Sequence, residues 1–301
     1  MMLWYVPVLL RIAVTYVALP ILVKPLAEHP ARAPILALQF FGAFGLALPA
    51  AVVLGQATLH VPIAVVGFFT GLAAYAYWRA IDLSLSRTAL FAFWDDLIAM
   101  GLSYGLLGEG RFLNGWVLTG IGLSVLAVIL FTVHGYVARS GRAEDQAPVP
   151  RVHLLYVGLY SVILGLGVFF MRTIGLQDVG LARFLLNWYA GAGVAAGLLV
   201  LTFRLRVRTP AVPLTLSRQE WVRLGGGSLL ILVAVGAAYG AYRLAPQTVV
   251  QPLFLVGEMV GPALIGLYVF GEREALARRD QAYFALGLAG GLLVALSFSA
   301  Q

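Results

Sequence analysis

The chain has no cysteine, which excludes disulfides, thiolate metal sites and a cysteine nucleophile. Charge is scarce as well: 11% of its 301 residues are charged, against about a quarter in an ordinary soluble domain. No Gly-rich turn carries a Walker lysine, so ATP-driven work by this chain alone is not expected. A serine elbow, a zinc-ligand cluster and a Gly-x-Gly-Asp pattern are absent too. His29, His60, His134 and His153 fall near the ends of apolar runs, without partners at metal-ligand spacing. Neither a metal nor another cofactor is expected, and no enzyme class is indicated.

What fills the sequence is apolar. Hydrophobic residues make up 61% of it, and mean hydropathy is +0.92. A soluble protein of this size could not hide that much apolar surface in one core, whereas a bilayer accepts it. The net charge of +7 would suggest nucleic acid in a soluble chain. Here the basic residues lie in short connections between apolar runs, where anionic headgroups explain them and no nucleic-acid partner is needed.

Runs long enough to cross the hydrocarbon as helix lie at 5–23, 34–54, 61–78, 88–107, 115–133, 154–171, 184–203, 222–242, 248–270 and 281–299. The first contains Arg11 and no basic segment precedes it, so it reads as a mature helix rather than a cleaved signal. The expected fold is an all-α integral membrane protein of ten transmembrane helices. A polar stretch from Arg139 to Asp145 divides it into a five-helix repeat at 1–133, a connecting loop at 134–153 and a second five-helix repeat at 154–301.

The halves resemble each other. Gly108-Glu109 closes the fourth span and Gly271-Glu272 the ninth, each followed by a polar turn and a Gly-rich run. Gln39-Phe40-Phe41 aligns with Asn187-Trp188-Tyr189, and Ala73-Ala74-Tyr75 with Ala237-Ala238-Tyr239. Five spans is an odd number, so the second copy enters with opposite orientation, as in many secondary transporters. With Leu107-Gly108-Glu109 and Phe270-Gly271-Glu272 in equivalent places, nearly the whole chain resembles the drug/metabolite transporter superfamily, in its EamA-like ten-helix branch. That resemblance implies a helical bundle with a central cavity and transport of metabolites, often outward, across an inner (plasma) membrane. It leaves the substrate open.

Ionisable groups inside hydrocarbon are functional candidates, because a charge there costs a few kcal/mol or more. Asp95 and Asp96 lie inside the fourth span, and the repeat offset carries Asp95 onto Glu258 in the ninth. Where the family commonly has a proline near the cavity, this chain has Asp96 and Met259, a departure that favours a cation, a proton or both. Trp78, Trp94, Trp188 and Tyr75 offer ring faces for a cationic ligand, and Gln39 and Asn187 are repeat-related amides able to bind substrate. Arg11 completes the candidate set.

Structural readings compete. Asp95 and Asp96 are about 100° apart on a helix, which argues against both facing one centre. Either acid could pair with Arg11, Arg79 or Arg87, and Glu258 with Arg183 or Arg243. Gln39 and Asn187 could bond between helices, and Glu109 and Glu272 read as structural. The leading functional reading is a secondary transporter, an exporter or proton-coupled carrier, of a small cationic or amine-bearing metabolite, acting as monomer or homodimer among membrane lipids. A lipid or lipid-linked sugar flippase and an intramembrane carboxylate-dyad enzyme are the alternatives. Connections at one end carry Lys24, Arg32, Arg79, Arg139 and Arg218, among others, whereas the other end has only Arg111, Arg172, Arg183 and Arg243. The positive-inside rule therefore places both termini outside the cytoplasm, against the family habit of both inside.

Overall fold

The computed structural model describes residues 4–85, 88, 93–112, 114–140, 151–206 and 214–271, with scattered positions between 282 and 293. Among the described residues it is all-helical. In chain order the helices are α1 (Tyr5–Ala27), α2 (Arg32–Val53), α3 (Val61–Leu83), α4 (Phe93–Leu106) and α5 (Gly115–Ser140). They continue as α6 (Arg151–Gly175), α7 (Leu181–Arg206), α8 (Arg218–Leu244) and α9 (Gln247–Tyr268). Seven segments, within α1–α3 and α6–α9, are long and apolar enough to cross a membrane. The chain is a multi-pass membrane protein. Most of the expected tenth span, and Glu272, lie outside the described residues.

Its outer surface is that of a protein solvated by lipid. Leu9, Val52, Leu155 and Leu205 are all more than half exposed, an arrangement that water would punish at about 25 cal/mol per Å² of apolar surface. Small residues set the packing inside. The helices α3 and α7 meet so closely that a Cβ on Gly191 would sit 1.9 Å from the Ala64 carbonyl, and one on Gly67 would sit 2.1 Å from that of Trp188. Backbones approach to this degree only where side chains are absent.

α1 departs from regular helix in its middle. Ile12–Ala18 is π-helical, with the Leu19 N–H reaching the Val14 carbonyl five residues back. Pro20 follows and has no N–H to offer the preceding turn. Against this widened turn α9 brings Gly257 and Gly261. A Cβ on Gly261 would lie 2.3 Å from the Tyr16 carbonyl. A π-turn of this kind inside an α-helix frequently marks a functional position.

Several helices continue past the apolar runs because charges at their ends are paired. Asp82 in the last turn of α3 accepts from Arg32, at the start of α2, and lies 3.6 Å from Arg79. Lys24 near the end of α1 reaches the Ile81 carbonyl at 3.5 Å and Glu28 at 3.5 Å. At the other end of the bundle, Asn187 accepts from the His60 N–H at 2.8 Å and donates to the Thr58 carbonyl at 2.9 Å, fixing the α2–α3 connection.

The close contact of α3 with α7 has a direct test. Gly191→Val should lower stability in detergent by about 1–3 kcal/mol or more, read as a fall in melting temperature. Gly101→Ala, at a glycine with nothing within 4 Å of its added Cβ, should leave it unchanged. Equal melting of both variants would contradict the packing described.

Candidate functional site

The α4 helix begins with a run that no bilayer accepts cheaply, Phe93-Trp94-Asp95-Asp96. Both aspartates are buried, at 2% and 1% exposure, and Glu258 arrives from the middle of α9. One carboxylate oxygen of each of the three lies within 4.8 Å of the others. The expectation that Asp95 and Asp96 could not share a centre is therefore overturned. The 100° step separates their Cβ atoms, yet both carboxylates bend into the groove that Glu258 enters. A close approach of α6 supports this corner: a Cβ on Gly165 would lie 2.6 Å from the Asp95 carbonyl.

Among the described residues none of the three acids makes an ion pair. The cations proposed as structural partners are engaged elsewhere: Arg79 with Asp82, Arg243 with Asp178, and Arg183 with the Leu59 carbonyl at 3.5 Å. Arg87 lies outside the described residues. Arg11 is within electrostatic reach of Glu258 and Asp96, but its guanidinium rests on the Phe254 ring, 4.2 Å from the centroid. Its Nε, Asp95 Oδ1 and Asp96 Oδ2 are buried with no hydrogen-bond partner among the described residues. Groups of this kind are expensive to leave unmatched.

A cavity of about 170 Å³ opens beside the cluster. Its lining follows helical faces: Arg11, Thr15 and Leu19 on α1, Ala74, Trp78 and Ile81 on α3. Gln39 from α2, Tyr160 from α6 and Glu258 from α9 also contribute. Among the described residues Arg11 and Glu258 are the charged groups of its lining. Elsewhere it is mostly apolar or aromatic, with Thr15 and Gln39 as neutral polar groups, and it runs from Arg11 and Glu258 toward Val23 and Ile81.

Toward the opposite end the cluster is backed by a chain of hydrogen bonds. Gln251 donates from Nε2 to Asp96 and accepts at Oε1 from the Tyr242 hydroxyl. The Tyr242 carbonyl accepts from Arg172. Arg172 also donates from Nε to Glu109 at 2.9 Å, and Glu109 accepts from both the backbone N–H and the hydroxyl of Thr248 at 3.1 Å. Glu109 thus covers the first turn of α9, whose leading N–H groups lack intrahelical partners. This is the structural role that its place after α4 suggested.

The other sequence candidates divide cleanly. Trp78 and Gln39 line the cavity, and the Gln39 Nε2 is buried over Gly227 with no partner among the described residues. Trp94 is half-exposed on the outside of α4 and forms no part of the wall. Trp188 is buried in the core beside Phe184, centroids 5.2 Å apart, and Tyr75 packs on Phe203 at 5.4 Å. Asn187 holds the α2–α3 connection instead of the cavity. Sequence reasoning missed Thr15, Tyr77 and Tyr160, which all line the cavity. Once Arg11 marks the inner face of α1, a step of four residues reaches Thr15, so that signal was available. Tyr77 and Tyr160 had none beyond being aromatic.

No protein-family model and no curated protein matches the chain. Its fold does have a counterpart among solved structures. One crystal structure, at 17% sequence identity, aligns with a TM-score of 0.66 over 97% of this chain and 95% of its own. At that identity the likeness concerns the fold alone.

The Glu109–Arg172 pair has a measurable consequence. Arg172→Met leaves a buried carboxylate without its cation and should cost about 3–5 kcal/mol, read as thermal unfolding in detergent. The double variant Arg172→Met with Glu109→Gln should recover a large part of that loss. A single variant as stable as the parent would contradict the role given to the pair.

Proposed function

We propose that the chain is a secondary carrier that moves a small amine-bearing metabolite across an inner (plasma) membrane in exchange for protons. The observation that carries the reading is the juxtaposition of Asp95, Asp96 and Glu258 within 4.8 Å at a cavity midway along the bundle. Three ionised carboxylates and one guanidinium leave two negative charges. In a low-dielectric interior that excess must be matched by cations or removed by protons. A site that can be neutralised in either way is what a proton-coupled cation carrier requires.

The cavity bounds the cargo. At about 170 Å³ it is close to the roughly 150 Å³ engineered cavity that admits benzene, so it suits a cargo of around ten non-hydrogen atoms or fewer. A lipid or a lipid-linked sugar is far larger, which argues against the flippase reading. Charge lies on one wall and uncharged, mostly aromatic or apolar groups on the rest, a match for an ammonium head with an uncharged body. The same three oxygens could ligate a metal ion. Arg11 nearby and the Gln251 amide already donated to Asp96 favour the amine.

The architecture proposed with this function is two five-helix halves in inverted orientation, ten helices in all, as in the EamA-like drug/metabolite transporters. Helix contacts support it, because they occur in pairs that exchange the halves. α3 with α6 is matched by α8 with α1, α4 with α6 by α9 with α1, and α3 with α7 by α8 with α2. The contacts of α2 with α7 and of α4 with α9 map onto themselves. Substrate sites in such carriers lie between the halves near the midplane, and the meeting of Asp95 on α4 with Glu258 on α9 supports a site of that kind.

Glu258→Gln keeps shape and removes the charge. In proteoliposomes with an imposed pH gradient, uptake of a small amine such as tyramine should fall at least about tenfold and lose its response to the gradient, with normal recovery of folded protein. Gradient-driven uptake at the parental rate in this variant would sink the mechanism.

A further inference from the structure

Arg11 is an uncommon group to find on the wall of a cation site. It carries the same sign as the expected cargo, yet it shares the charged wall with Glu258. It does not close an ion pair with any of the three acids among the described residues. Instead its guanidinium is parked on Phe254, at the point where α1 turns π-helical. Held there, it adds one fixed positive charge while leaving the carboxylate oxygens available to another cation.

We propose that Arg11 is the charge-selecting residue of the site: it sets at two the number of positive charges that Asp95, Asp96 and Glu258 take up, and thereby favours singly charged amines over dications. This rests on the carrier reading above. With Arg11 in place the ionised site has a charge of −2. Two protons neutralise it, and so do one monoamine cation and one proton. Entry of one amine then displaces one proton. A dication would satisfy the count without any proton, but its second charge would have to lie along Leu36, Trp78 and Ile81, where no acid lines the cavity among the described residues. Removing Arg11 raises the negative charge to −3. A dication gains from that change twice what a monocation gains, since Coulomb attraction scales with ligand charge.

The same arithmetic gives a second variant with the opposite sign. Asp95 belongs to the cluster but is not on the cavity wall. Asp95→Asn lowers the site to −1 while keeping Arg11. It should shift preference away from dications. The double variant restores −2.

The experiment is equilibrium binding at fixed pH and salt to purified protein, with tyramine as monoamine probe and 1,4-diaminobutane as dication probe. The ratio of the two affinities is compared across the parent, Arg11→Gln, Arg11→Lys, Asp95→Asn and Arg11→Gln with Asp95→Asn. The expected result is a shift toward the dication of about tenfold or more in Arg11→Gln, none in Arg11→Lys, a shift the other way in Asp95→Asn, and a return near the parental ratio in the double variant. Cancellation of opposite shifts is a charge effect that loss of folding does not produce. An unchanged ratio in Arg11→Gln overturns the assignment to Arg11 and leaves the carrier reading standing. So does a variant that keeps tyramine but loses only zwitterionic amino acids, which would make Arg11 a carboxylate clamp. A parent protein that binds neither probe overturns both proposals.

Discussion

Three carboxylates held within 4.8 Å of each other inside a lipid-solvated bundle are the constraint on which the rest of the structure turns. Like charges at that spacing repel, and hydrocarbon around them removes the water that would soften the repulsion. The fold keeps them there by surrounding them with groups that are useful in two states. Gln251 already donates to Asp96, Arg11 adds a positive charge from its place on Phe254, and oxygens such as Asp95 Oδ1 have no partner among the described residues. A structural ion pair would have matched every charge once. This cluster, among the described residues, leaves its charge unmatched by any ion pair.

The helices around it divide into a tight part and a looser one. α3 and α7 are joined through Gly67 and Gly191 at backbone contact, with Trp188 and Phe184 filling the space beside them. α1 and α9, which carry Arg11 and Glu258, have less regular backbones: a π-turn at Ile12–Ala18 and two internal prolines, Pro252 and Pro262, in α9. Such breaks free backbone groups and let helix segments move against neighbours. Hydrogen bonds run from Asp96 through Gln251 and Tyr242 to Arg172 and Glu109, tying the cluster to the end of the bundle where α9 begins.

Much of this was legible in the sequence. Seven of the ten apolar runs correspond to helices long and apolar enough to cross a membrane, and the acidic positions stood out because a charge in a bilayer is costly. Helix ends were less legible. Arg79, Asp82 and Arg172 interrupt the apolar runs, and only the structure shows that Asp82 meets Arg32 and that Arg172 meets Glu109, which lets α3 and α6 continue. Gln39 and Asn187 look equivalent in sequence but do different work, one lining the cavity and one tying the α2–α3 connection. A backbone carbonyl as partner leaves no mark in a sequence. Nor does the bend that brings Asp95 and Asp96 together, since helical geometry alone argues for the opposite.

The central claim is that the site holds two positive charges and exchanges one of them for the cargo. Calorimetric titration of the purified protein with tyramine, near neutral pH and in buffers of different ionisation enthalpy, counts the protons released for each amine bound. A value close to one proton per amine is the expected result. Binding with no proton release would contradict the exchange and reduce Asp95, Asp96 and Glu258 to a static counter-charge.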